Sequence, residues 1–182
     1  MDNIHIRKIT SSDYHKGVIE LYSQFFTINS TTIDMADFSK YITEQCNDNH
    51  VIFVVESNNK IIACATCIID TKIIHNFGKV AHIEDVVVDT AMQGLGLGKN
   101  IINTCVEYAN DNKCYKIILD CSDKNVMFYE KCGFIHNGNT MKRMGASGAW
   151  AIGSDMRHGE PISTYDVQFC TNIIYNEKEF VF

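Results

Sequence analysis

The sequence predicts an α/β protein of the α+β kind, with a mixed central β-sheet flanked by helices on both faces and the element order β-α-α-β-β-β-α-β-α-β. Three observations predict it. Short apolar runs rich in valine and isoleucine alternate along the chain with segments whose apolar residues recur at helical spacing. Two of the runs, Val51–Val55 and Ile61–Ile69, are separated only by a short polar turn, whereas others are separated by a whole helix. A glycine run, Gln93-Gly94-Leu95-Gly96-Leu97-Gly98-Lys99, stands between an apolar strand and an amphipathic helix. In that setting the free N–H groups of the helix start face an anion.

Asn3 to Ile9 alternates, with His5 and Arg7 outward and Ile4, Ile6 and Ile9 partly inward, as a first strand does. Thr10-Ser11-Ser12-Asp13 starts a helix in which Val18, Ile19, Leu21, Tyr22, Phe25 and Phe26 share helical spacing. A second helix is expected from about Met35 to Cys46, with Asp34 near its start and Met35, Phe38, Tyr41, Ile42 and Cys46 on one side. These stripes are read as core rather than as a binding surface. Val51–Val55 and Ile61–Ile69 make a hairpin across Ser57-Asn58-Asn59-Lys60. Lys79–Val88 is the next strand, and the helix after the glycine run carries Ile101, Ile102, Cys105, Tyr108 and Ala109 on one stripe. Tyr115–Cys121 is expected as a strand, Asn125–Cys132 as a short helix and Phe134–Met144 as a last strand. From Gly145 the texture changes: Gly145, Gly148, Gly153, Gly159 and the only proline, Pro161, imply turns, and Val167–Tyr175 is a β-prone run. The expected organisation is one domain over residues 1–144 and a C-terminal extension over 145–182 that is not a separate domain.

The chain has 182 residues, enough for one sizeable core, and a formal net charge of -6. No overall basic field draws it to nucleic acid or to an anionic membrane. Its start lacks the pattern of a signal or transit peptide and no 18-residue apolar run occurs, so a cytoplasmic protein is expected. Eight cysteines are present, mostly inside apolar strands and helices, where a free thiol acts as a small hydrophobe. Cys64 and Cys67 lie three apart in a strand and therefore on opposite faces, which disfavours a metal pair. No metal is expected.

Spacing separates three readings of the glycine run. A P-loop requires Ser or Thr after the lysine, but Asn100 follows Lys99. A dinucleotide fingerprint requires Gly-x-Gly-x-x-Gly and an acidic residue about 20 positions on, closing a strand. Here the glycines run Gly-x-Gly-x-Gly, and Asp111 falls in a polar helix end. Gln93-Gly94-Leu95-Gly96-Leu97-Gly98 instead resembles the pyrophosphate loop of the GNAT superfamily of acetyl-CoA-dependent N-acetyltransferases.

The resemblance narrows with four further segments: Lys72-Ile73-Ile74-His75, His82-Ile83-Glu84-Asp85-Val86-Val87-Val88, Cys114 to Cys121, and Asn125-Val126-Met127-Phe128-Tyr129-Glu130-Lys131-Cys132-Gly133-Phe134. Together they resemble glucosamine 6-phosphate N-acetyltransferases of the eukaryotic type. The resemblance implies acetyl transfer from acetyl-CoA to the 2-amine of glucosamine 6-phosphate, on the route to UDP-N-acetylglucosamine, by a homodimer with the sugar near the subunit interface. It implies Glu84 as a general base acting through water, Asp120 as the group that places the amine, and Tyr129 as the hydroxyl facing the CoA sulfur. Cofactor contacts are implied at Val86, Val87 and Val88 through backbone, at Gln93, Gly94, Leu95, Gly96, Leu97, Gly98 and Lys99, and at Asn125. Substrate contacts are implied at Lys72, Ile73, Ile74, His75, Glu84, Asp85, Tyr115 and Lys116, with Arg143 as a further cation.

The residues support this chemistry on their own terms. Two strand-end carboxylates, Glu84 and Asp120, can pair with an ammonium and accept its proton, and a phenol can donate to a departing thiolate. At one place the chain departs from the family. An arginine is expected three residues after Met141, where this chain has Met144; Arg143 is one residue early, which in a strand reverses the face. Another small amine as acceptor, or a CoA-binding protein without turnover, therefore stays open at this point.

Overall fold

The computed structural model describes residues 4–26, 28 and 32–137. The chain divides into two units, Met1–Phe134 and Ile135–Phe182, and the fold described is that of the first. Its five-stranded sheet runs in the order β1 (Ile4–Lys8), β2 (His50–Ser57), β3 (Lys60–Thr71), β4 (Lys79–Val88) and β5 (Cys114–Ile118). The first four pair antiparallel and β4 pairs β5 in parallel, so the sheet is mixed. The expected hairpin joins β2 to β3 through Asn58 and Asn59, whose φ values of 50° and 61° suit a two-residue turn that follows the strand twist.

Helices cover both faces. On one, α4 (Leu97–Asp111) lays Leu97, Ile101, Ile102, Cys105 and Ala109 against Phe53, Val55, Ala65, Cys67, Ala81 and Ile83. On the other, α1 (Val18–Ser23) and α2 (Met35–Gln45) bury Val18, Leu21, Phe38 and Ile42 against Ile52, Val54, Ile61, Cys64 and Val87. Cys64 and Cys67 thus fall in opposite cores, as their spacing requires.

Several expectations need correction. The long first helix is broken: a 3-10 turn over Ser11–Lys16 ends at Gly17, whose φ of 79° stops the hydrogen-bond ladder before α1 begins. Met35 and Tyr41 are exposed, because Phe38 and Ile42 alone on that face of α2 reach the core. Ile4 is exposed as well, and Ile9 joins the α1–α2 core just beyond β1. Arg7 does not simply face outward. It holds the wholly buried Asp13 at 2.8 and 2.6 Å and Glu56 at 3.1 and 2.5 Å, while Lys16 holds Glu56 at 2.7 Å. β5 ends at Ile118 rather than at Cys121, and the short helix splits into a 3-10 turn, Asp123–Asn125, and α5, Val126–Lys131. Residues 134–137 have no strand assignment, and the rest of the expected last strand lies outside the described residues, as do Arg143, Met144 and the extension.

One irregularity was not expected. Cys64 pairs with Val87, but Thr66, two residues on, pairs with Glu84, three residues back, so Asp85 and Val86 together oppose Ala65. This is a β-bulge, and the φ of 50° at Asp85 is its backbone signature. Its effect is a change of face: Ile83 belongs to the α4 core and Val87 to the α1–α2 core, although plain alternation would put both on one side.

Candidate active site

β4 and β5 pair only from Lys79 with Cys114 to His82 with Ile118. Beyond that pair β4 runs on to Val88 while β5 stops, so an opening widens between the strands. Counting on from the last pair sets Glu84 level with Asp120. Both face away from α4, since their neighbours Ile83 and Leu119 pack against the α4 core. His82 and Lys116 share that face for the same reason, with Ile83 and Ile117 beside them turned the other way. Glu84, Lys72, Asp70 and Lys116 all act on His82 electrostatically.

These groups tune one another. Burial, ahead of its charged neighbours, holds His82 below its ordinary value, so the ring is neutral at pH 7. Burial and then Lys72 lower Lys116, which puts the two lysines near enough to repel and makes them a ready seat for an anion. Lys72 also pairs with Asp70. Burial and then Glu84 push Asp85 up, and its carboxyl is felt by Tyr22 on α1 and Tyr41 on α2. The bulge therefore brings two consecutive acids to the same side, which a regular strand cannot do.

Tyr129 lies on the other side of the sheet. It packs against the α4 core from α5, between Phe128, 5.0 Å away, and Phe134, 6.2 Å away. Burial, with Cys121 and Cys132 nearby, pushes its phenol up to about 12. Carboxylates and phenol are thus on opposite faces, and a ligand touching both must pass through the opening between β4 and β5.

The glycine run follows the end of β4 that β5 leaves unpaired and leads into α4. Gly94 and Gly96 have φ of 82° and 79°, and a Cβ at either would meet nothing within 4 Å. Glycine is needed there for the backbone angle, and open space stands over the loop. Gly98 is glycine for another reason: its Cβ would lie 3.2 Å from Phe128, so it lets α5 approach α4. No side chain caps α4, which leaves its first N–H groups for an anion. The loop is strapped from behind. Asp89 is buried, bonds Lys60 at 2.7 Å and accepts from the N–H of Ala91 at 3.1 Å, and the Gln24 side chain accepts from Thr90 N–H at 3.0 Å. Gln93 donates to the Val88 carbonyl at 3.4 Å. Such a cradle suits a phosphate-bearing ligand.

The expected site residues divide accordingly. Glu84, Lys72, Lys116 and Asp85 gather at the acidic and basic side of the opening, and the register count alone sets Asp120 level with Glu84. Leu97 and Val87 are core side chains, so only their backbone can serve a ligand, while Leu95, Lys99 and Asn125 are exposed. Ile73, Ile74 and His75 lie in or beside a single turn, α3 (Ile74–Phe77), whose His75, Asn76 and Phe77 all have positive φ. His75 packs on Tyr115 with ring centroids 4.6 Å apart and planes tilted by 58°, and Tyr115 is the extra residue where Lys79 pairs Cys114 and Val80 pairs Lys116. His82 was missed by the sequence reading. Its place two residues before Glu84 in an alternating strand was the available signal.

The sequence profile of the acetyltransferase (GNAT) family matches residues 15–134. The chain is 39% identical over 144 residues to a glucosamine 6-phosphate N-acetyltransferase of Arabidopsis thaliana, covering 78% of this chain and 97% of that one. It is 38% identical over 141 residues to glucosamine 6-phosphate N-acetyltransferase 1 of Dictyostelium discoideum, covering 77% and 90%. The fold superposes on the crystal structure of the Arabidopsis thaliana enzyme with a TM-score of 0.75 at 38% identity, covering 78% of this chain and 98% of that one.

Proposed function

The chain belongs to the acetyltransferase (GNAT) family, and from that premise we propose that it transfers the acetyl group of acetyl-CoA to the 2-amine of D-glucosamine 6-phosphate. The products are N-acetyl-D-glucosamine 6-phosphate and CoA, formed by direct amine attack in a ternary complex. The names of the relatives support the acceptor. The observation that carries the reading is the opening between β4 and β5, with carboxylates on one face and a phenol on the other.

Acetyl-CoA supplies a thioester carbonyl and a thiol leaving group. Gly94 to Lys99 and the start of α4 hold its phosphates, the backbone of Val86 to Val88 its arm and thioester oxygen, and Asn125 a further part of the arm. Lys72, Lys116 and His75 receive the sugar phosphate. Glu84 and Asp120 attract the sugar ammonium, and Glu84 takes its proton, so that the nitrogen attacks as a free amine. His82, held neutral by burial, adds no positive charge beside that ammonium.

Tyr129 stabilises the departing sulfur. A phenol near 12 facing a thiol of ordinary pKa about 8.5 would give up its proton at a cost on the order of 5 kcal/mol. Hydrogen-bond donation without transfer is the role that magnitude allows. A homodimer and a place in UDP-N-acetylglucosamine biosynthesis belong to the same proposal and rest on family resemblance; a cytoplasmic location is proposed with them.

The test is thiol release from acetyl-CoA measured across a panel of amines. Turnover with glucosamine 6-phosphate well above free glucosamine is expected. Activity confined to another amine, the outcome that Met144 would favour, sinks the assignment of acceptor; CoA binding without any turnover sinks the enzyme reading.

A further inference from the structure

Ser122 follows Asp120 and Cys121 beyond the end of β5 and stands at the N-cap of the turn Asp123–Asn125 that leads into α5. Its backbone is extended, with φ -75° and ψ 155°, the conformation in which a serine hydroxyl caps the next turn. That bond is not made. The hydroxyl oxygen is instead sealed from solvent and is the one such buried side-chain nitrogen or oxygen among the described residues without a hydrogen-bond partner. Buried polar groups are nearly always bonded, and a bare one has given up water for nothing. A serine that forgoes both its cap and a core partner is poised for a group the chain itself does not supply.

Its position identifies that group. Ser122 lies four residues past Ile118, the last β5 residue paired with β4, and three before Asn125, so it stands in the segment that flanks the opening after the strands part. We propose that the Ser122 hydroxyl is a ligand of the acyl donor, hydrogen-bonded to an amide group of the pantetheine arm that lies in the opening. The inference rests on the acetyl-CoA reading above. The bond missing in the free chain is made on binding.

Calorimetric titration of the full chain with acetyl-CoA and with CoA tests it, on the unchanged protein, Ser122→Ala and Ser122→Thr, together with thermal unfolding without ligand. Ser122→Ala should weaken both ligands about 3- to 10-fold, the loss of one neutral hydrogen bond. Ser122→Thr, which keeps a hydroxyl, should restore binding to within about 2-fold by the same reasoning. The ligand-free melting temperature of Ser122→Ala should equal or exceed that of the unchanged protein. Undiminished binding by Ser122→Ala overturns the proposal and leaves the acetyl-CoA reading standing; failure of the unchanged protein to bind CoA overturns both. Loss confined to acetyl-CoA moves the contact to the thioester and refutes the arm assignment. A lowered melting temperature with no rescue by threonine makes the residue structural and refutes it too.

Discussion

Replacing Tyr129 with phenylalanine removes one oxygen and leaves the ring packing in place. The ring meets Phe128 at 5.0 Å and 70° and Phe134 at 6.2 Å and 81°, edge-to-face contacts that phenylalanine keeps. What disappears is a donor to the leaving sulfur. A hydrogen bond to a charged group contributes about 1.5–3 kcal/mol, which corresponds to a fall in kcat of roughly 10- to 150-fold. True proton transfer would cost more, about 10²- to 10⁴-fold, but the phenol near 12 is too weak an acid for that step. The assay is kcat from thiol release with saturating sugar, set beside the Kd for CoA by titration. CoA affinity should change by less than about 3-fold, since the bond strengthens only as sulfur gains charge. The wild-type rate should also show no loss from phenol ionisation up to pH 10, because the folded value lies near 12. An equal loss in kcat and affinity, or no loss in either, would refute the role, and a fall beyond about 10³-fold would replace hydrogen bonding by proton transfer.

Other consequences concern the frame and the two anion seats. Arg7→Met leaves the wholly buried Asp13 and its neighbour Glu56 short of their partner; breaking such a pair costs about 3–5 kcal/mol, and the 29% exposure of Arg7 points to the lower end. Burial raises Asp13, but bonds from Arg7 and Thr10 outweigh it, and Lys16 and then Arg7 lower Glu56; both folded values lie below the ordinary 3.8 and 4.5. Their stabilisation is therefore present above those values and lost as pH falls through the lowered ones, so urea unfolding should show the Arg7→Met deficit shrinking by pH 3; an unchanged deficit would discredit the ion-pair account. Lys72→Met and Lys116→Met should each raise KM for glucosamine 6-phosphate about 10- to 100-fold and leave free glucosamine unaffected; equal effects on both sugars would mean that the lysines do not read phosphate. Gly96→Val, at φ 79° with space around it, meets only backbone strain of about 1–2 kcal/mol. CoA affinity should fall for Gly96→Val and hold better for Gly96→Asn, which tolerates that angle; indifference to both would remove the loop from the cofactor site.

Local chemistry made much of this protein legible. Asn58-Asn59 announces its turn, Asp34 its helix, whose Asp37 N–H it accepts at 2.9 Å, and the stripe from Ile101 to Ala109 its buried face. Cys64 and Cys67 were assigned to opposite faces by counting alone. What stayed hidden depends on pairing between distant segments. Ile83 to Val88 looks like one uninterrupted apolar strand around two acids, and nothing in those residues marks the extra position opposite Ala65. The parting of β4 and β5 after His82 is likewise a property of two strands together, so Tyr115 to Cys121 reads as strand past the point where its partner has left. The break at Gly17 was within reach, since glycine in a helical pattern is a known stop, but the apolar spacing on either side spoke for continuity.

The single extra residue in β4 joins two reading frames in one strand. Before it, odd positions such as Ala81 and Ile83 are read by the α4 core and even positions by the open face; after it, the parity is exchanged. Loss of the bulge with every residue kept would do more than regularise a strand: counted back from Val87, it would carry Glu84 toward the α4 core and turn Ile83 outward. The carboxylate at the opening is thus guarded by isoleucine, because any slip that hides the acid must also strip the core.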